Sequence, residues 1–194
     1  MSSNPEGWAI ALQRIAHEAE ARTGALDLGM LGLTELPEEL FALTHLRELS
    51  LGVLSEEEWE ARRASGASFS VNELKSALEK LIAFGQLQTL SVSGTDIIDL
   101  AWAQRLEGLQ SLDCSGTQVS DLAPLKGLTA LRSLDCSSTP VSDLNGSDVV
   151  GEPRGDGSLA FLSQAELAGP AQAAKARLSI NALSFPGDAS RRRS

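Results

Sequence analysis

Tyrosine is missing from this chain, and aromatic residues make up only 4% of it. A core must therefore be built from aliphatic side chains, and leucine is the abundant one. There are two cysteines, too few for the disulfide framework of a small secreted domain. The two histidines, His17 and His45, stand at no spacing that joins them to Cys114 and Cys136 in a metal site. No apolar run approaches the ~20 residues that span a bilayer. The opening Met1-Ser-Ser-Asn-Pro-Glu6 lacks the basic stretch and long apolar run of a secretory leader. Phosphate-cradling patterns (GxxxxGKS, GxxxxGKT, GxGxxG) and the nucleophile pattern GxSxG are absent. These absences predict a cytoplasmic, non-enzymatic protein without metal or cofactor.

Positive charge is scarce too: 16 Lys and Arg stand against 26 Asp and Glu, a net charge of −10. Residues 145–194 hold six basic and five acidic side chains, which leaves −11 for residues 1–144. Such a surface repels phosphate groups, so neither nucleic acid nor an anionic membrane is an expected partner. A chain of 194 residues suits one domain with a tail.

What the chain does have is a leucine ladder. Leu109-Gln-Ser-Leu112-Asp-Cys114-Ser-Gly-Thr117-Gln-Val119-Ser-Asp-Leu122 returns 22 residues later as Leu131-Arg-Ser-Leu134-Asp-Cys136-Ser-Ser-Thr139-Pro-Val141-Ser-Asp-Leu144. An earlier copy runs from Leu87 through Leu90, Val92, Thr95 and Ile97 to Leu100. Two more units start at Thr23 (Leu26, Leu28, Leu31, Leu33, Leu36, Leu40) and Leu46 (Leu49, Leu51). Units repeating at this length must stack into a solenoid, because none can bury its apolar face alone.

Ahead of the ladder, Asn4-Pro5-Glu6 reads as a helix start and Gly24 as its stop. Trp8, Leu12, Ile15 and Ala19 form the apolar stripe of a helix over 5–22, set to cap the first end of the array. The interval from Leu46 to Leu87 is 41 residues, so the second unit carries an insertion. Ser55–Arg63 reads as a charged short helix. Val71, Leu74, Leu78, Leu81 and Ile82 predict a second helix, capped by Ser70 and Gly85. After Leu144 the ladder stops, and Asn145–Gly157 is rich in Gly, Asp and Pro. Three segments follow: a cap helix over 1–22, repeats over 23–144 with a helical insertion at about 53–85, and a diverged tail over 145–194 that is partly disordered with short helices. The abrupt end suggests a truncated or diverged relative of a larger array. It also leaves the last unit uncapped and open to self-association.

Each unit reads L-x-x-L-x-L, and the alternation at positions 4 and 6 sends those side chains to the inner face of a short strand. Cys114 and Cys136 stand at inward position 6 and read as small buried hydrophobes. Thr95, Thr117 and Thr139 at position 9 must satisfy backbone groups in the turn. Outward positions then line a polar sheet face. Position 2 holds Arg47, Gln88, Gln110 and Arg132; position 3 holds Glu48, Thr89, Ser111 and Ser133. Position 5 holds Ser50, Ser91, Asp113 and Asp135; position 7 holds Gly52, Ser93, Ser115 and Ser137. Asp113 and Asp135 should lie side by side and repel, offset by Arg132, solvent, a cation or a basic partner. The candidate partner-contact residues are Arg47, Glu48, Gln88, Ser91, Gln110, Asp113, Ser115, Arg132, Asp135 and Ser137.

Residues 23–144 resemble the leucine-rich repeat proteins. That resemblance implies an α/β solenoid with a curved parallel sheet on its concave side, here with an N-terminal capping helix. It also implies a protein-interaction role. The stretch Ile15–Leu40, with Thr23-Gly-Ala-Leu-Asp-Leu-Gly-Met-Leu-Gly-Leu-Thr-Glu-Leu-Pro37, resembles bacterial arrays that precede the GTPase module of Roco-type proteins. The Leu-Asp-Cys-Ser-x-Thr-x-Val-Ser-Asp-Leu units look similar to those arrays too. The GTPase module is missing here, so GTP binding does not carry over. A non-catalytic module binding an unidentified protein through the concave face is the expectation. The alternatives are a translocated bacterial effector or a regulatory fragment of a repeat-containing GTPase.

Overall fold

The computed structural model describes residues 4–53, 70–74, 77–141, 151–153 and 159–161. Five strands form one parallel run: β1 (Ala25–Asp27), β2 (Glu48–Ser50), β3 (Thr89–Ser91), β4 (Ser111–Asp113) and β5 (Ser133–Asp135). Position 4 faces position 4 throughout: Leu26, Leu49, Leu90, Leu112 and Leu134 share one row, all buried. The position-2 carbonyl accepts two N–H groups from the next unit, as Arg47 O does from Gln88 and Thr89. Position 5 accepts one, as Asp135 O does from Cys114. The strands are short because only these few residues per unit are needed to carry the ladder onward.

The opposite wall is made of 3-10 turns: η1 (Glu38–Ala42), η2 (Leu78–Ala83), η3 (Ala101–Arg105) and η4 (Ala123–Gly127). A spacing of three explains them. Leu122, Leu125, Leu128, Leu131 and Leu134 are three apart, the 3-10 repeat, so they project in one line towards the sheet. The same N–H to C=O step recurs, Leu125 to Leu122, Leu128 to Leu125 and Leu131 to Leu128, at 2.9–3.1 Å. Leu78, Leu81, Phe84, Leu87 and Leu90 follow the same rule. The helix expected over Val71–Ile82 is therefore a 3-10 turn over Leu78–Ala83 preceded by extended chain, with Val71 and Ile82 about 40% exposed. Ser70 is no helix cap; it bridges Leu31 in parallel. The charged Ser55–Arg63 segment lies outside the described residues.

Asn72 explains why the chain is extended where it re-enters the array. Its side chain is fully buried. The carbonyl oxygen accepts from Leu33 N–H at 2.8 Å, and the amide donates to Leu28 O at 2.9 Å and Leu51 O at 2.7 Å. One side chain thus satisfies backbone groups of two units. The threonines at position 9 each donate only to the position-6 carbonyl of their own unit, Thr117 to Cys114 O at 2.6 Å and Thr139 to Cys136 O at 2.6 Å. A hydroxyl has one proton to give, an amide two.

The helix α1 (Pro5–Ala21) starts where the sequence placed it. Asn4 caps the Gly7 N–H at 3.2 Å, Pro5 opens the first turn, and the Asn4 amide donates to Leu31 O at 3.0 Å. Its buried face differs from the expected stripe: Gly7, Ala11, Ile15 and Glu18 face the array, while Ala19 is exposed and Trp8 and Leu12 are half-buried. Small residues let the backbone come close, and a Cβ on Gly7 would sit 1.8 Å from Leu31 O. The helix stops at Arg22 rather than Gly24, with φ 51° and its N–H on Glu18 O at 2.8 Å.

The far end is not bare. β6 (Gly151–Pro153) and β7 (Leu159–Phe161) pair antiparallel, and β7 pairs antiparallel with β5, Ser133 opposite Ala160 and Leu134 opposite Leu159. The seven-stranded sheet runs β1-β2-β3-β4-β5-β7-β6. This part of the tail, expected as loop and short helices, instead covers the β5 edge. Among the described residues the β5 edge, expected to be open, is paired with β7.

Two outcomes follow from this packing. Gly7→Ala raises helix propensity by about 1 kcal/mol yet should lower net stability by about 2 kcal/mol, because the methyl cannot fit against Leu31 O. Thermal melting checks the sign. Asn72→Ala strands two carbonyls and one N–H, and chemical denaturation should show a loss of about 3 kcal/mol.

Candidate functional site

The concave sheet face is built from the outward positions of successive units. Arg47, Glu48 and Arg132 are exposed; Gln88, Ser91, Gln110, Asp113, Ser115, Asp135 and Ser137 are half-buried. Position 7 departs from the expectation in the first half of the array, where Gly52 and Ser93 are buried. The units approach too closely at Gly52 for a side chain, where a Cβ would lie 2.5 Å from Ser93 N.

Asp113 and Asp135 are register partners on adjacent strands, as expected. Arg132 is not what offsets them. Asp113 Oδ1 accepts from Ser115 N–H at 3.0 Å and Ser115 Oγ at 2.7 Å, and its Oδ2 accepts from Ser91 Oγ at 3.0 Å. Asp135 Oδ1 accepts from Ser137 N–H at 2.9 Å. The aspartates thus close the turn at the strand end and keep a carboxylate edge on the sheet face. Asp27 belongs to the same row. It is the position-5 residue of the first unit, opposite Ser50, and its Oδ1 accepts from Gly29 N–H at 2.8 Å. The signal for it is plain in Leu26-Asp27-Leu28, which matches Leu112-Asp113-Cys114. Arg14 of α1 donates to Asp27 O at 2.7 Å and pairs with its carboxylate at 3.0 Å.

Across β1–β3 the face dips into a recess of about 310 Å³, lined by Leu26, Leu49, Glu48, Ser50, Thr89 and Ser91. A second hollow of about 520 Å³ lies between α1 and β1, beside Arg14, His17 and Asp27. Among the described residues no group of three His, Cys, Asp or Glu is placed to hold a metal ion. Cys114 is buried and Cys136 half-buried. Burial, with the charges of Cys136, Asp113 and Asp135, pushes the Cys114 thiol up; burial and Asp135 push Cys136 up to about 11. Neither is an activated nucleophile.

One buried charge escaped the sequence reading. Glu18 is only 3% exposed, yet burial, which raises its pKa, is outweighed by hydrogen bonds. Thr23 Oγ1 donates at 2.5 Å, Gly24 N–H at 2.7 Å, His45 Nε2 at 2.8 Å and Thr23 N–H at 3.2 Å, and the carboxyl falls to about 2. His45 ties the second unit to the cap helix through this group. A charged residue on an amphipathic helix carries no mark of burial in the sequence.

The sign of the pH dependence follows. Glu18 ionises more readily folded than unfolded, so its contribution is complete above pH 4.5 and fades as pH falls towards 2. Glu18→Gln should cost about 2 kcal/mol at neutral pH and flatten the acid limb of a stability-versus-pH curve. An unchanged acid limb would show that this carboxylate is not the one being titrated.

Residues 107–148 match the family model of leucine-rich repeats (two copies). No curated protein matches the chain. Among solved structures, an internalin C2 of Listeria monocytogenes is 22% identical, covering 58% of this chain and 41% of its own, with a TM-score of 0.42. Another Listeria monocytogenes internalin is 18% identical over 70% and 44%, TM-score 0.44. A leucine-rich repeat protein of Leptospira interrogans is 22% identical over 74% and 41%, TM-score 0.38. The chain spans about four-tenths of the length of these structures. Its own ladder, strands and 3-10 wall have the architecture of a leucine-rich repeat solenoid, with an N-terminal helix.

Proposed function

We propose that this chain is a non-catalytic interaction module that binds a protein through the concave face of its repeat array. The observation that carries the reading is the row structure of that face. Main-chain groups are spent on the inter-unit ladder, while polar side chains at positions 2, 3 and 5 stand outward in register. A rigid sheet presenting ordered polar groups suits recognition by shape and hydrogen bonding, with a few contacts dominating affinity. We place the protein in the cytoplasm on its composition; no described helix is long and apolar enough to cross a membrane. Kinship with Roco-type arrays belongs to the same proposal, supported by Ile15–Leu40 and the repeat wording. So does the division into a cap over 1–22, repeats over 23–144 and a tail over 145–194.

The test uses two exposed position-2 side chains. Arg47→Glu/Arg132→Glu should fold like the parent by circular dichroism and melting. In affinity capture from native lysate with mass spectrometry, a partner held by the parent should be lost by the variant. Retention of every captured protein at equal yield would move the site off this face.

A further inference from the structure

We propose that Cys114 and Cys136 form a two-coordinate site for a soft dication that binds its ligands in line, as mercury(II) does, held between their sulfur atoms on the inner side of the sheet. The site is independent of the concave face, which lies on the other side. Register is its first support. Asp113 and Asp135 are direct partners on β4 and β5, so the cysteines that follow them stack one above the other at position 6. Cys114 is fully buried, and Cys136 is half-buried against the same core. The Cys114 thiol leans towards β5, where it reaches Asp135 O at 3.3 Å, and the charge of Cys136 acts on it. Both cysteines are free thiols. The first three units hold Leu28, Leu51 and Val92 at this position, so thiols meet only where β4 joins β5.

Spacing selects the coordination. Neighbouring strands lie about 4.8 Å apart. Two metal–sulfur bonds of about 2.3 Å laid end to end span about 4.6 Å, so an ion that takes two sulfurs in line fits between stacked strands without moving either backbone. A disulfide, with its sulfurs about 2 Å apart, needs the two side chains drawn together. Zinc in a structural site takes four ligands, and among the described residues no group of three His, Cys, Asp or Glu is placed to hold an ion. Charge selects the ion. Burial first, then nearby carboxylates, keep both thiols protonated, with Cys136 pushed up to about 11. Binding therefore displaces two protons, one from each thiol, and only an ion with a strong preference for sulfur does that. Two thiolates around a dication leave a neutral complex. Around monovalent copper or silver they leave a net negative charge, buried and close to Asp113 and Asp135, which is costly. The half-buried Cys136 gives the ion its way in.

The test titrates mercury(II) chloride into the full chain with glutathione present as a competing monothiol. Sulfur-to-metal charge-transfer absorption reports the bound ion, and circular dichroism is read on the same samples. The parent should take up one ion per chain, keep it against glutathione and show an unchanged circular dichroism spectrum. Cys114→Val and Cys136→Val copy Val92 at the same ladder position, so both variants should fold, and each should lose the ion to glutathione because one thiolate cannot chelate. Silver(I) and zinc(II), offered to the parent in the same way, should also be lost to glutathione. Retention of mercury(II) by either single variant, uptake only with loss of the circular dichroism signal, or silver(I) held as firmly as mercury(II) would overturn the proposal.

Discussion

Every unit of this array depends on hydrogen bonds it cannot make by itself. A three-residue strand is too short to be stable alone, and its carbonyls at positions 2 and 5 find donors only on the next or preceding unit. The stacking is therefore obligatory. It forces position 4 into one row and position 5 into another, and that second row becomes the face available to a partner. Side-chain identity at each outward position is then free to vary. Where it does vary, as from Ser91 to Asp113 and Asp135, the same turn is kept while the charge of the face changes.

The three places where the ladder would fail are closed by other means. At the first end, β1 has no preceding unit. The helix α1 covers it through close approach at Gly7, through Arg14 on Asp27 and through the buried Glu18 that gathers Thr23, Gly24 and His45. Burying a carboxylate is costly, and here four donors offset that cost. At the second unit the chain leaves the array after Val53 and returns at Ser70, where the buried Asn72 restores the broken turn. At the last unit an antiparallel hairpin takes the place of a further parallel strand.

The candidate face was largely legible in advance because its register follows from the repeat. Once Leu90, Leu112 and Leu134 are aligned, Asp113 beside Asp135 and Gln88 beside Gln110 follow without coordinates. What the aspartates do was not legible. Their repulsion was expected to be offset by Arg132, solvent, a cation or a basic partner, whereas the N–H groups of Ser115 and Ser137 and the hydroxyls of Ser115 and of Ser91 on the neighbouring strand hold them, because those donors come into reach only when the strand ends and the units are stacked. Asp27 was open to the same alignment and was missed because its unit departs from the others after Leu28.

The repeat period, the inward leucines, the polar outward rows and the start of the cap helix were all determined by sequence alone, since each reflects a local preference or a spacing that every copy repeats. Tertiary structure decided the rest. Val71–Ile82 is spaced as well for an amphipathic helix as for extended chain running into a 3-10 turn, and only docking between η1 and η3, with Asn72 seated in the core, selects the latter. The face that α1 buries turned on close approach at Gly7, a contact with a carbonyl far along the chain. The hairpin at β7 depends on a free edge that exists only once β5 is in place. In each case the deciding partner lies many residues away, and local spacing carries no trace of it.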